Sequence, residues 1–437
     1  MQRLSVMRLA RLVRNNVDGQ LSPNGRSREA GAVATIVAIF FGTGVLLGLG
    51  ALVIDTGSLL YERRQLQNGA DAAALSLARN CAKAQAGVSG YSCDTSSTRA
   101  GLIDLAGKNA ADQWSDIPLL GGVCGSAALV AANPSAFTPC PAPSTALVEC
   151  PATTSTAKYV EVRTSTKTAS GSTILPPILA QMLAGGTYAG ETVKACARAG
   201  WGPLGNSGPA LPLVIGVCEW NTATANGTIY APPPTPQYTP APNQTVYRPN
   251  GNQPYVLPSL PSVVPANTIV SIIAHTASGS NTVNNCPANP APPAGQDYPG
   301  GFGWTTADTT CSAIFADTGN LTGDGGNAPP QDCKHVGPVS SYVGKIVNIP
   351  IFTNVAVSNG TATYTISGLA AFYLAGYANI STVSDMFGYA PPASLQCVPG
   401  VSTTCIWGWF TQPDPNPDGG DIGGGTSRGP IVLQFLG

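Results

Sequence analysis

Between Glu29 and Asp55 the chain carries twenty-five consecutive uncharged residues, 30–54, thirteen of them Val, Ile, Leu or Phe. As a helix rising about 1.5 Å per residue, such a run is long enough to cross a hydrocarbon core of about 30 Å. Each large apolar residue adds roughly −0.3 to −0.6 kcal/mol to insertion, and no charge opposes them. The fold of the remainder is therefore constrained first by compartment. Upstream lie Arg3, Arg8, Arg11, Arg14, Arg26 and Arg28 against Asp18 and Glu29. That imbalance predicts a cytoplasmic N-terminus by the positive-inside rule and an extracytoplasmic remainder. A cleaved signal peptide is the competing reading, but its apolar core is usually about 7–15 residues. Gly44 and Gly48 form a GxxxG pair, a spacing that lets a second helix approach closely, although glycine is common in membrane helices generally.

Composition agrees with an envelope or secreted environment. Charged residues make up 10% of the chain, while Gly 51 and Pro 39 imply long loops and short strands. From Asp55 onward there are fifteen basic and twenty acidic residues, which argues against nucleic acid as a partner. All 12 cysteines follow the apolar run. An even number in an oxidising compartment reads as disulfides. Metal-type CxxC or Cys/His pairs are missing, Cys333 with His335 being the nearest approach, so no metal site and no cofactor are expected. Cys140 with Cys150 and Cys397 with Cys405 are the local pairs to test first.

Beyond Asp55 the helical character persists. Leu59, Leu66, Ala70, Ala73 and Leu77 recur at helical spacing among good helix formers. A further helical stretch is predicted near residues 99–114, a strand at 159–168, a helical piece at 174–183 and a strand at 191–199, together a small α+β unit. The apolar run 211–220 opens a second region as its first strand. Residues 231–265 are proline-rich and read as extended. Strands resume at 268–274 and 345–352, and 355–358 with 361–367 flank Asn359-Gly360, a strong hairpin signal. Glycine-rich runs near Gly323 and Gly423 read as loops, and 431–436 as a last strand completing a sheet.

The motif REAGAVATIVAIFF from Arg28, the exit Asp55-Thr56-Gly57 and the step Tyr61-Glu62-Arg63-Arg64 into LQNGADAAAL, 66–75, together resemble the N-terminal module of TadG-like and TadE-like Flp pilus-assembly proteins. The likeness covers about fifty residues, and more loosely the strands at 159–162 and 195–199. It implies a membrane-anchored component of the tight-adherence machinery, related to minor pilins and working at the cell surface. Prepilins of this kind keep a glutamate inside the apolar helix, whereas Glu29 lies outside it, four residues beyond Gly25, which argues against processing by the prepilin peptidase. Some family members also carry a von Willebrand A-type metal loop. Asp94-Thr95-Ser96-Ser97-Thr98 has its superficial pattern without the buried strand that should precede it.

Two DTG triplets raise an enzymatic alternative. Asp55 and Asp317 together would match the paired loops of pepsin-like proteases, in which two carboxylates share one proton. Asp55, however, ends a 25-residue apolar run rather than a short buried strand, and Asp317 reads as a turn former. With only His275 and His335 there is little for a Ser/His/Asp triad, and no phosphate loop occurs. Trp407, Trp409 and Phe410 read as core. The expectation is thus an α+β protein, non-catalytic, with a cytoplasmic tail 1–29, a transmembrane helix 30–54, a projecting amphipathic helix 55–86, an α+β extracytoplasmic region 87–205 and a β-rich, disulfide-containing region 206–437. Its expected partners are the lipid bilayer and other Tad/Flp components. A plain anchored envelope binding protein is the remaining alternative.

Overall fold

A computed structural model describes residues 27–141, 150, 157–183, 187–232, 268–273, 301–324, 329–333, 339, 341–378, 386–388, 404–412, 415 and 420–436. Among these the elements in chain order are α1 (Ser27–Gln85), α2 (Thr95–Lys108), β1 (Val123–Gly125), α3 (Ala127–Ala132), β2 (Lys158–Ser165), α4 (Ala180–Leu183), β3 (Lys194–Pro203), β4 (Asn206–Ala210), β5 (Leu213–Gly216), α5 (Val217–Thr224), β6 (Val270–Ile273), β7 (Phe302–Trp304), β8 (Ala313–Ala316), β9 (Gly319–Asp324), β10 (Ile346–Ser358), β11 (Thr361–Ala378), β12 (Met386–Gly388), β13 (Cys405–Phe410) and β14 (Ile431–Phe435). By internal contacts the chain divides into two units, Met1–Tyr61 with Ile174–Glu191, and Glu62–Thr173 with Thr192–Gly437.

The first unit holds the start of α1 and the segment Ile174–Glu191. That segment is closed on itself by an antiparallel bridge between Leu175 and Glu191, each N–H bonding the other's carbonyl. Residues 30–54 are helical throughout, but the side chains at 30–33, 40, 41 and 43–47 lie outside those described. Among the described residues no helix is long and apolar enough to cross a membrane. Residues 1–26 of the basic tail likewise lie outside the described chain.

In the second unit, α1 continues against a four-stranded antiparallel sheet of order β1-β2-β3-β14. The buried positions of the helix, Leu66, Ala70, Ala73, Ala74, Leu77 and Ala78, are all 0% exposed and fall at the i, i+3, i+4 spacing of one helical face. Ala70, Ala73, Ala74, Leu77 and Ala78 share one cluster with Val160 and Val162 of β2, Ala197 and Ala199 of β3, and Leu433 of β14. Alanine on both surfaces is what lets helix and sheet pack closely. The opposite face of the sheet carries the alternate residues. There Glu161, fully buried, takes Arg163 at 2.7 Å and Arg198 at 2.6 Å.

The larger sheet has order β6-β13-β11-β10-β5-β7, with β9 and β12 also pairing β11. Its centre is the β10/β11 hairpin, turned at Asn359 and Gly360 with φ of 51° and 81°. Positive φ at both turn residues is the twist-compatible hairpin geometry that Asn-Gly favours. Trp407 and Trp409 are 0% exposed and Phe410 2%, so the aromatic cluster is core, as the sequence implied. Tyr373 stacks on Trp409 at 4.4 Å and Phe372 meets Phe410 edge-on at 5.1 Å.

The disulfides require a correction. Cys140 pairs with Cys124, and Cys150 with Cys196, so the expected local pair Cys140–Cys150 does not form. A parallel bridge between Gly125 and Pro139 brings Cys124 and Cys140 side by side, and β3 presents Cys196 to Cys150. Strand pairing, not sequence proximity, selects the partners. Cys81–Cys93 and Cys311–Cys333 are also bonded, and Cys218 and Cys405 are each in a disulfide. Cys397 lies outside the described residues. Gly323, expected in a loop, is instead part of β9, where a Cβ would collide with the Trp304 carbonyl. Of the proline-rich stretch, residues 233–265 lie outside those described.

Candidate functional site

Asp55 sits within α1 and is 9% exposed. Its Oδ1 accepts the backbone N–H of Ile178 at 2.7 Å and of Leu179 at 3.1 Å, and Oδ2 accepts from Leu179 and Ala180. Burial acts to raise its pKa, but the three N–H donors overcome it and hold the carboxyl below the ordinary aspartate value. The residue thus pins the start of α4 to α1, all inside the first unit. Asp317 belongs to the second unit, in the short connection from β8 to β9. Its Oδ2 accepts from Gly425 N–H at 2.5 Å and its own N–H donates to Gly205 at 3.1 Å. A Cβ at Gly423 would strike that same carboxylate oxygen. Both aspartates are therefore held by backbone donors within their own units.

The metal-type groupings among the described residues are Glu161 beside Cys124 and Cys140, and Glu161 beside Cys150 and Cys196. Both cysteine pairs are disulfides, which offer no thiolate, and the carboxylate is occupied by two arginines. These donors do not fit a metal ion. Cys333, considered with His335, is bonded to Cys311. His275 and His335 lie outside the described residues. Asp94 directly precedes α2, the position where an aspartate favours a helix start, and the side chains of 95–98 lie outside those described.

Residues 62–82 of α1 carry a run of specific contacts. Gln65 Oε1 accepts from Ala111 N–H at 2.8 Å, and Gln67 Nε2 donates to Cys196 O at 2.9 Å and to Asp71 at 2.8 Å. Thr164 of β2 donates to Leu66 O at 2.9 Å. A Cβ at Gly69 would lie 2.8 Å from the Ala106 carbonyl, so this glycine lets α2 lie directly against α1. Glu62 is 6% exposed; burial first, and the nearby Asp112 second, push its pKa up against a hydrogen bond from Thr166. Leu66, Gln67, Gly69, Ala70, Ala73 and Ala74 are thus the parts of one packing face, and LQNGADAAAL is its sequence. Residues 31–79 match the family model described as putative Flp pilus-assembly TadE/G-like. This segment is TadE/G-like. The TadE/G-like stretch contains the whole packing face from Leu66 to Ala78, together with Asp55, and the remainder of the chain lies outside the match. No curated protein and no solved structure matches the chain.

Sequence reading did not find two of these roles. Neither the tie from Asp55 to residues 178–180 nor the close approach at Gly69 leaves a periodic signal. The one available hint was a glycine inside a strongly helical run, which often marks backbone contact.

Proposed function

We propose that this protein is a membrane-anchored, outward-facing and non-catalytic component of a Tad/Flp-type pilus assembly or adhesion system. The observation that carries the proposal is the TadE/G-like match over residues 31–79, which contains the helical face, Leu66 to Ala78, packed against the first sheet. The basic tail 1–29 lies in the cytoplasm, 30–54 spans the bilayer, and the helix continues through 55–86 into an extracytoplasmic, disulfide-bonded body. Support for the span is the uncharged run itself, thirteen of whose residues are large and aliphatic or aromatic. Support for the exterior placement is that every described cysteine is paired, as in an oxidising compartment.

Contact rather than chemistry fits the side chains. The two aspartates that raised a peptidase are spent on backbone donors, and the cysteines on each other. Deleting the gene and counting surface pili and surface-attached cells tests the role. A loss of both supports it, whereas unchanged counts, or a gene neighbourhood without a secretion ATPase, favour a plain anchored envelope binding protein. Protease applied to intact cells tests topology: digestion of the body with retention of the segment upstream of Asp55 is expected.

A further inference from the structure

The sequence between Lys167 and Glu191 contains no charged residue, and it holds Ile174, Leu175, Ile178, Leu179, Met182 and Leu183. Within the first unit this segment is tied to the end of the apolar run by Asp55. Two of its large side chains are exposed, Ile174 at 41% and Ile178 at 60%, while Leu175 and Leu179 are half-buried. The adjoining turns of α1 are equally bare, with Leu52 64%, Val53 69% and Ile54 47% exposed. Exposed aliphatic residues on two neighbouring pieces of chain make an apolar surface that water penalises.

The backbone is prepared for a medium without water. Leu175 N–H is bonded to Glu191 O, positions 176 and 177 are prolines and carry no N–H, and the N–H groups of Ile178, Leu179 and Ala180 all donate to Asp55. Six consecutive positions, 175–180, thus present no free backbone donor to solvent. Satisfying these donors internally removes part of the cost that a bilayer would impose on this stretch. The same bonds give the one charge at the end of the run, the Asp55 carboxylate, internal donors in place of water. Tyr61, 60% exposed two turns further along α1, and half-buried Tyr188 are residues of the type that favours the headgroup level.

We infer that residues 174–183 form a second membrane contact, an interfacial clip whose isoleucines enter the headgroup and acyl boundary beside the point where α1 leaves the bilayer. The inference rests on the anchoring proposed above. The clip fixes the direction in which α1 emerges, because Asp55 joins it rigidly to the helix.

Lipid-tail photolabelling of the full chain, reconstituted in vesicles of phosphatidylethanolamine and phosphatidylglycerol, tests it. Trypsin separates the two regions, since cleavage at Arg28 and Arg63 releases 29–63, and cleavage at Lys167 and Lys194 releases 168–194. Label in both peptides is the expected result, with loss from 168–194 alone in Asp55→Ala and in the Ile174→Asn/Ile178→Asn double variant. Label confined to 29–63 overturns the clip and leaves the anchor standing. Label in neither overturns the anchor and the clip together. A cross-link from 168–194 to a second copy in place of lipid also overturns the clip, by making the surface a protein contact.

Discussion

Single residues carry several of the decisions in this fold, and the carboxylates show how environment sets their roles. Glu219 of α5 is 3% exposed and accepts the N–H of Gly301, while Gly216, which has no Cβ to collide with Oε2, leaves it room. Burial pushes its pKa from 4.5 to about 7 against that hydrogen bond. Below the unfolded value both states hold the proton and burial costs nothing in charge. Between about pH 4.5 and 7 only the folded state keeps it, so stability falls as pH rises through this window and the full penalty, about 3 kcal/mol, is present above it. Glu219→Gln keeps an acceptor for Gly301 and carries no charge. Melting temperatures across pH 4–8 are expected to decline less for this variant than for the parent, and parallel curves would refute the assignment. Asp55 runs the other way: its lowered pKa contributes stability above the unfolded value, lost as pH falls through the folded one. Glu219 is legible in the sequence only as a charge, and Asp55 only as the exit of the apolar run or half of a DTG pair. Desolvation and backbone donors are tertiary facts, and the triplet Asp-Thr-Gly looks the same in either setting.

Among the elements, the first sheet depends on how closely two helices approach, and glycine decides that. An open helix interior gains about 1 kcal/mol when glycine becomes alanine. At Gly101 of α2 a Cβ meets nothing within 4 Å, so Gly101→Ala is expected to stabilise by about that amount. At Gly69 the same change sets a methyl 2.8 Å from a backbone carbonyl of α2, which no rotamer relieves. Overpacking costs about 1–3 kcal/mol, so the net effect of Gly69→Ala is expected to be destabilising. Thermal unfolding of the two variants side by side reads the difference in sign, and a stabilised Gly69→Ala would remove the close-approach argument. The periodic parts of this architecture were visible beforehand. The alanine stripe on α1, the strand at β2 and the Asn359-Gly360 hairpin follow from spacing and turn chemistry. The apolar stretch 369–377 proved to be the same strand as 361–367, because β11 is central, flanked on both sides and buried along most of its length. Short strands such as β1, β7 and β8 have no period long enough to read. Of the predicted strand 211–220 only Leu213–Gly216 is strand and Val217 begins α5, because the chain stays apolar through Cys218 with nothing to mark the change.

At the scale of the whole second unit, the order in sequence and the order in space part company at the C-terminal strand. β14 follows the larger sheet in the chain but pairs with β3, setting Leu433 opposite Trp201 and Phe435 opposite Ala199. A final strand was legible at 431–436; its partner, more than two hundred residues earlier, was not, because pattern reports faces and not neighbours. The two faces of β14 serve different cores. Ile431 and Leu433 enter the cluster containing Leu77, Val160 and Ala199, whereas Val432 enters the one holding Leu204, Phe315 and Leu369. The helix supplied by the TadE/G-like segment is thereby packed on the last strand of the chain. Three side chains buried to 8%, 2% and 1% exposure contribute roughly 1.5–3 kcal/mol each, a sum comparable with the whole stability of about 5–15 kcal/mol for a domain. A chain stopped after Gly429 is therefore expected to leave α1 unpacked, so that trypsin cuts at Lys83, 7% exposed in the complete chain, within the time that leaves the parent intact. Leu433→Ala, at about 2–5 kcal/mol, should fall between the two. If the shortened chain still protects Lys83, the helix and first sheet hold together without β14, and the dependence of the N-terminal packing on the C-terminus is wrong.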